Sequence, residues 1–335
     1  MPFLLFLLLG AAVIMRGQSA TEPPPRPEDT PALPAEEAIE EPGAEPESPP
    51  GRPVNDWLEA QVELHRRGFS CGSIDGVRGA QTAAALKAWQ KNEGLRESGD
   101  LDRATKAALL LSEPALTDYI FTVEDSAATA AVPDTWLGKS ELDALRHATP
   151  LEMIAERFRA NPKLLAKVNP GVNWDDLLPG TRLVVPSADP VLAPGKVARI
   201  HIYLAEKILQ AVDETGRILL HSPVSIARNV EKRPVGELHV TVVIPDPNYT
   251  FDPVVFPEVP EAQELGRKLI IAPGPNNPVG VAWIGLDRTG YGIHGTPDPE
   301  KVGRTESHGC FRLANWDARV LVRLAWVGLP VTVDP

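Results

Sequence analysis

The sequence predicts a multidomain α+β chain: a small three-helix bundle, a short α/β segment, and a C-terminal, mainly antiparallel β-sandwich domain with one late helix. Three observations lead there. Apolar residues recur at helical spacing from about Asn55 to Leu111. From Lys196 onward the period falls to two, in short strands parted by turn residues. Ahead of both lies a proline- and glutamate-rich stretch that cannot bury apolar surface. A chain of 335 residues has room for two or three such units.

Taken in order, Phe3–Met15 is an apolar run of 13 residues. It falls short of the roughly 20 needed to span a bilayer and matches the h-region of a signal peptide, although no Lys or Arg precedes it. Residues 1–20 are therefore expected to be a signal peptide or an uncleaved N-terminal anchor. Residues 21–53 carry nine acidic residues against Arg26 and Arg52, so most of the net charge of −12 belongs to an extended tether. Phosphate neutralisation needs clustered Lys and Arg, which excludes a nucleic-acid binder. Cys71 and Cys310 are the only cysteines, too few for a disulfide framework or a cysteine-only zinc site.

Residues 55–111 are expected to form three helices: one ending at Gly68, a second starting near Gln81 after an Asp75-Gly76 turn, and a third starting near Asp102. Gly68, Asp75-Gly76, Gly79, Thr82, Trp89-Gln90, Gly94-Leu95, Gly99, Leu101-Asp102 and Thr105 together resemble a three-helix peptidoglycan-binding domain. Residues 119–186 contain TPLEMIAERFRANPKLLAKVNPG and LLPGTRLVVP, which resemble a LysM module: a helix pair, an Asn169-Pro170 turn and a closing strand. No clean opening strand is recognisable before Thr149.

In residues 196–335, Ile200, Ile202 and Leu204 alternate with Arg199, His201 and Tyr203. Asp213–Arg217 reads as a hairpin turn. Leu238, Val240, Val242 and Ile244 alternate with His239, Thr241 and Val243. Asn315 is expected to cap a helix whose stripe is Val320, Leu321, Leu324 and Ala325, stopped by Gly328 and Pro330. His65 and His147 on helical segments, and His201, His221 and His239 on strands, read as ordinary surface or satisfied residues. Cys71 reads as a small buried side chain, and its pairing with Cys310 is left open.

The chemistry concentrates in GYGIHGTPDPEKVGRTESHGCFRLANWD, Gly290 to Asp317. A thiol with a pKa of about 8.5 needs an adjacent base to act as a nucleophile at neutral pH. His308 stands two residues before Cys310, and His294 lies on a separate strand. Spacing alone does not choose between them.

IHGTPDPEKVGRTESHGCFRL, with PNNPVG (Pro275–Gly280) and WIGL (Trp283–Leu286) upstream, resembles the signature of the YkuD-type L,D-transpeptidase family over about Lys196 to Val333. The resemblance implies that Cys310 is the nucleophile, His294 its base and the Gly295 carbonyl the group that orients the imidazole. It further implies an oxyanion hole from backbone N–H groups around His308 and Gly309, with Gly309 allowing a tight turn. Arg312, Ser307 and Tyr291 would line the substrate site, Arg312 facing a carboxylate. Arg233 stands where many members carry Thr. The implied reaction is attack on the bond between diaminopimelate and the terminal D-Ala of a tetrapeptide stem, release of D-Ala, and transfer of the acyl group to an amine of a second stem or of a wall-anchored protein. Neither metal nor cofactor is implied. The partners are peptidoglycan stem peptides and glycan, and the place is the periplasm or cell envelope. Alternatives are an L,D-carboxypeptidase using water, a zinc peptidase built on His294, His308 and Cys310, and a non-catalytic wall-binding scaffold.

Overall fold

The computed structural model describes residues 51–335 apart from 193, 257–258 and 305–308. The expected leader and nearly all of the tether lie outside the described residues. No helix among the described residues is long and apolar enough to cross a membrane.

Three helices open the described chain: α1 (Trp57–Arg66), α2 (Ala80–Asn92) and α3 (Arg103–Ala108). Asp56 and Asp102 cap α1 and α3 by accepting from Glu59 N–H and Thr105 N–H. Leu64, Leu86 and Trp89 meet in a core that also holds Phe69 and Cys71. A short antiparallel pair, β1 (Arg52–Pro53) with β2 (Leu110–Leu111), ties the two ends of this module together.

Next, β3 (Leu116–Ile120) pairs antiparallel with β4 (Arg182–Pro186). Between them run α4 (Val123–Ala127), α5 (Trp136–Ser140), α6 (Pro150–Arg157) and α7 (Pro162–Val168). A strand, β3, thus lies well upstream of Thr149, with α4 and α5 between it and α6. Asn169 closes the unit: its side chain accepts from Val184 N–H at 2.6 Å and donates to Val184 O at 2.8 Å. His147 is not helical. It bridges to Thr129, with Ala130 N–H donating to its carbonyl.

The C-terminal part adds β5 (Arg199–Tyr203), β6 (Ile208–Val212), β7 (Ile218–Pro223), β8 (Gly236–Pro245), β9 (Tyr249–Phe251), α8 (Ala262–Leu265), β10 (Leu269–Ile271), β11 (Ala282–Leu286), β12 (Gly292–His294), β13 (Phe311–Arg312), α9 (Asn315–Leu324) and β14 (Pro330–Asp334). Eight of these strands form one curled sheet in the order β13-β12-β11-β8-β14-β5-β6-β7. It is antiparallel except at β12·β13 and β14·β5. Val320 and Leu321 of α9 join its core beside Ile200, Ile202, Val240 and Ile284. The alternation read along β8 holds only as far as Val240. A bulge opposite Gly285/Leu286 changes the phase, so Val242 and Ile244 face solvent and Val243 turns toward the core.

The helical module covers the outer edge of β7. Ser70 N–H donates to His221 O, and His221 N–H to Gly68 O. The Asn92 amide pairs with both backbone groups of Ile218, at 2.8 and 3.0 Å. This supplies partners to an edge strand that would otherwise expose unpaired groups. His221 is therefore fully buried rather than at the surface, with Nδ1 against Gln210. His65 is buried too, beside Cys71 N–H and Gly72 O.

Burial pushes the His65 and His221 pKa values down to about 3. The unfolded chain takes up those protons near pH 6.5. Stability should therefore fall as pH drops from 6.5 toward 3. Buried Asp317, pushed up to about 6, acts in the opposite sense between pH 6 and 3.8 but is one group against three, since burial also pushes His294 down to about 4. The expected result is a lower urea midpoint at pH 4.5 than at pH 7, and a shallower dependence in His221→Gln. An unchanged slope in that variant would contradict a neutral buried His221.

Candidate active site

Strand β12 delivers His294, and the parallel strand β13 begins one residue after Cys310. Pairing of Ile293 with Phe311 and His294 with Arg312 puts Cys310, His294 and Arg312 on neighbouring ends of one strand pair. Leu313 N–H donates to His294 O at 2.8 Å, and Arg312 exchanges two backbone bonds with Ser225, which clamps the far side of β13. Cys310 is half-buried, and its Sγ donates to Gly290 O at 3.5 Å. Cys71 lies in the helical module's core, and neither cysteine is in a disulfide, so the pairing left open in the sequence does not occur.

His294 Nδ1 lies 2.6 Å from Gly295 O. A carbonyl can only accept, so Nδ1 carries the proton and Nε2 presents a lone pair. The imidazole also stacks on Trp283, its register partner on β11, with centroids 5.7 Å apart. Gly292 makes this possible, because a Cβ there would stand 2.7 Å from the indole.

Gly295 is itself held from behind. Asn315, 1% exposed, accepts from Val281 N–H at 3.3 Å and donates to Glu156 at 2.9 Å and Pro275 O at 3.0 Å. Gly280 (φ +61°) and Gly295 pass so close to the Asn315 Oδ1 that a Cβ would lie 2.1 or 2.3 Å from it. Asn315 is therefore not the cap read from the sequence. It is the first residue of α9, and its amide is spent on the loop behind His294.

Burial pushes the His294 pKa down to about 4, against the Gly295 bond that raises it, and Arg312 lowers it further. Burial also raises the Cys310 thiol, with the Gly292 backbone and Arg312 pulling the other way. Both shifts favour uncharged groups.

Tyr291 packs on the sheet core, under the Arg288 guanidinium at 4.7 Å. Among the described residues, a Cβ at Gly309 would meet Tyr291 Cε1 at 4.0 Å. Ser307 and His308 lie outside the described residues. Arg233 donates to Ala227 O and Arg228 O, folding its own loop. Among the described residues no group of three or more His, Cys, Asp or Glu is arranged to hold a metal.

Two neighbours escaped the sequence reading. Trp283 sat in a quoted motif with no role attached. Tyr249 had no signal, yet its hydroxyl ionisation is raised by burial and by Cys310 and lowered by Arg312, which puts it within range of both. Its strand β9 is braced by the α4–α7 unit: Trp136 stacks on Phe251 at 4.2 Å and tilts against Tyr249 at 5.9 Å. Glu261 accepts from Trp136 N–H and Leu137 N–H at the start of α5.

Gly280→Ala should displace the Asn315 amide and the Gly295 carbonyl together. A loss of about 1–3 kcal/mol in urea unfolding is expected, with slower alkylation or acylation of Cys310 in the folded fraction. Wild-type stability and reactivity would show that the turn tolerates a side chain.

Residues 198–333 match the YkuD family, described as "L,D-transpeptidase catalytic domain", and residues 53–109 match "Putative peptidoglycan binding domain". The "Putative L,D-transpeptidase YkuD" of Bacillus licheniformis is 27% identical over 186 residues, 55% of this chain and 93% of its own. The "Probable L,D-transpeptidase YbiS" of Escherichia coli K12 is 28% identical over 196 residues, 54% of this chain and 59% of its own. A solved L,D-transpeptidase from Mycobacterium smegmatis aligns at 18% identity and a TM-score of 0.33, covering 47% of this chain and 64% of that one. Residues 198–333, about two fifths of the chain, thus match the L,D-transpeptidase catalytic domain of the YkuD family, and the protein is an enzyme of the L,D-transpeptidase type acting on the cell wall.

Proposed function

We propose that Cys310 is the nucleophile of a peptidoglycan acyl transfer and His294 its general base. The observation that carries this is the 2.6 Å bond from His294 Nδ1 to Gly295 O, which leaves Nε2 unprotonated at the strand pair that ends in Cys310. Starting from a neutral pair, the thiol proton passes to Nε2 as sulfur attacks the carbonyl between diaminopimelate and D-Ala. The imidazolium then protonates the leaving amine, D-Ala departs, and a thioester remains on Cys310. An amine of a second stem gives up its proton to His294 and resolves the thioester into a 3-3 cross-link. Backbone N–H groups around Gly309 and His308 receive the oxyanion, and Arg312 receives a donor carboxylate.

The module over residues 53–109 would hold the enzyme on the wall. The β3-α6-α7-β4 order supports a LysM-like glycan contact by residues 119–186. Export by residues 1–20 to the periplasm or envelope belongs to the same reading.

Intact-mass spectrometry of the chain lacking residues 1–20, incubated with disaccharide-tetrapeptide or a carbapenem, tests it. The expected result is an adduct on Cys310, absent in Cys310→Ala, with release of D-Ala and cross-linked dimer, turnover falling at least about 10³-fold in the variant. Tripeptide alone would mean that water is the acceptor, and no adduct on a free thiol would overturn the assignment. His294 accepts a proton only when neutral, so the acid limb of kcat/KM should fall near pH 4 rather than near 6.5. A limb at 6.5 would point to a different base.

A further inference from the structure

Where the α4–α7 unit meets α9, a cleft of about 550 Å³ opens, and none of its lining residues belongs to the Cys310 site. Its lining includes Arg159, Arg323, Asp189, Glu156, His147 and Trp316. Arg159 is the unusual member. It is 8% exposed, yet among the described residues its guanidinium makes no hydrogen bond and no ion pair within 4.0 Å. Asp317 and Asp189 attract it from a distance and Arg323 repels it, while burial works against its charge. A buried guanidinium left without partners is costly. Its backbone is also held in the left-handed region, at φ +55°, where Gly or Asn is the ordinary choice. The positive φ closes α6, with Arg159 N–H donating to Glu156 O and Ala160 N–H to Ala155 O, while the desolvated guanidinium lines the cavity and is open to an anionic ligand.

The other charges lining the cleft divide into paired and unpaired sets. Arg157 is bonded to Asp125, Arg319 stands 3.8 Å from Asp246, and Glu156 is bonded to Asn315 and lies 3.5 Å from His147. Arg159 and Arg323 are left as two guanidinium forks, with Asp189 as a carboxylate that has no side-chain partner among the described residues. Met153 and Trp316 supply an apolar wall. Two cationic forks beside one open carboxylate suit a group that carries both a carboxylate and an ammonium on one carbon.

We propose that this cleft is a second binding site, distinct from the Cys310 site, for the zwitterionic end of a diaminopimelate-bearing stem peptide, its carboxylate on Arg159 and Arg323 and its ammonium at Asp189. The choice of ligand rests on the peptidoglycan reading of the catalytic site. A stem peptide that is held but not processed would keep the enzyme on its substrate between turnovers.

Calorimetric titration of full-chain Cys310→Ala with disaccharide-tetrapeptide reads the site without any chemistry. Two binding events are expected, and Arg159→Gly, which also relieves the positive φ, should remove one or weaken it at least tenfold. Exposed Arg323→Gln should weaken the same event and serves if Arg159→Gly fails to fold. A tetrapeptide with its free diaminopimelate amine acetylated and carboxylate amidated should bind only once. Carbapenem acylation of Cys310 should keep its parent rate in Arg159→Gly and Arg323→Gln made in the wild-type background. Superimposable isotherms for parent and folded variants would overturn the cleft site, whereas absent acylation with both binding events intact would overturn only the catalytic reading.

Discussion

The side chain of Asn315 is the constraint on which the site depends. One buried amide fixes the turn at Gly280–Val281, lies against Gly295, and reaches across to Glu156 in the neighbouring unit. A primary amide is the only ordinary side chain that offers a strong acceptor and two donors in one plane. A carboxylate would meet Glu156 and the Pro275 carbonyl with like charge, and an apolar residue would leave several buried groups unpaired. Because Gly295 is the residue whose carbonyl sets the His294 tautomer, placement of that imidazole depends on helix α9 as well as on its own strand.

The surroundings of the pair are as much apolar as polar. Trp283 covers one face of the imidazole, burial outweighs the Gly295 bond, and the proton affinity of His294 drops while that of the thiol rises. On the proposed mechanism such a pair develops charge as sulfur attacks, and Arg312, close enough to lower both groups, is a fixed positive charge beside it.

Much of the architecture could be read from local pattern. The Asp213–Arg217 turn, the α1–α3 periodicity and the α9 stripe depend on neighbours within a few residues, and the motif around His294 and Cys310 is compact enough to stand out. What stayed hidden depends on partners far away in sequence. The phase change in β8 comes from a bulge opposite Gly285, and the burial of His221 comes from Gly68 and Ser70. Asn315 read as a cap because capping is what that residue does locally; its actual partners, Val281, Pro275 and Glu156, are remote. Tyr249 and Arg159 carried no motif, because position alone gives them their surroundings.

The central position of β14 has a consequence for how the domain is made. Pro330–Asp334 lies between β8 and β5, joined to one antiparallel and to the other in parallel. Until that strand arrives the sheet is two separate pieces, a β5-β6-β7 meander and a β8-β11-β12-β13 half with the catalytic strands, each with an open inner edge. In chain order β14 comes after every other strand of the sheet, so the meander can zip up from local hairpins while the two halves join only once β14 threads between them.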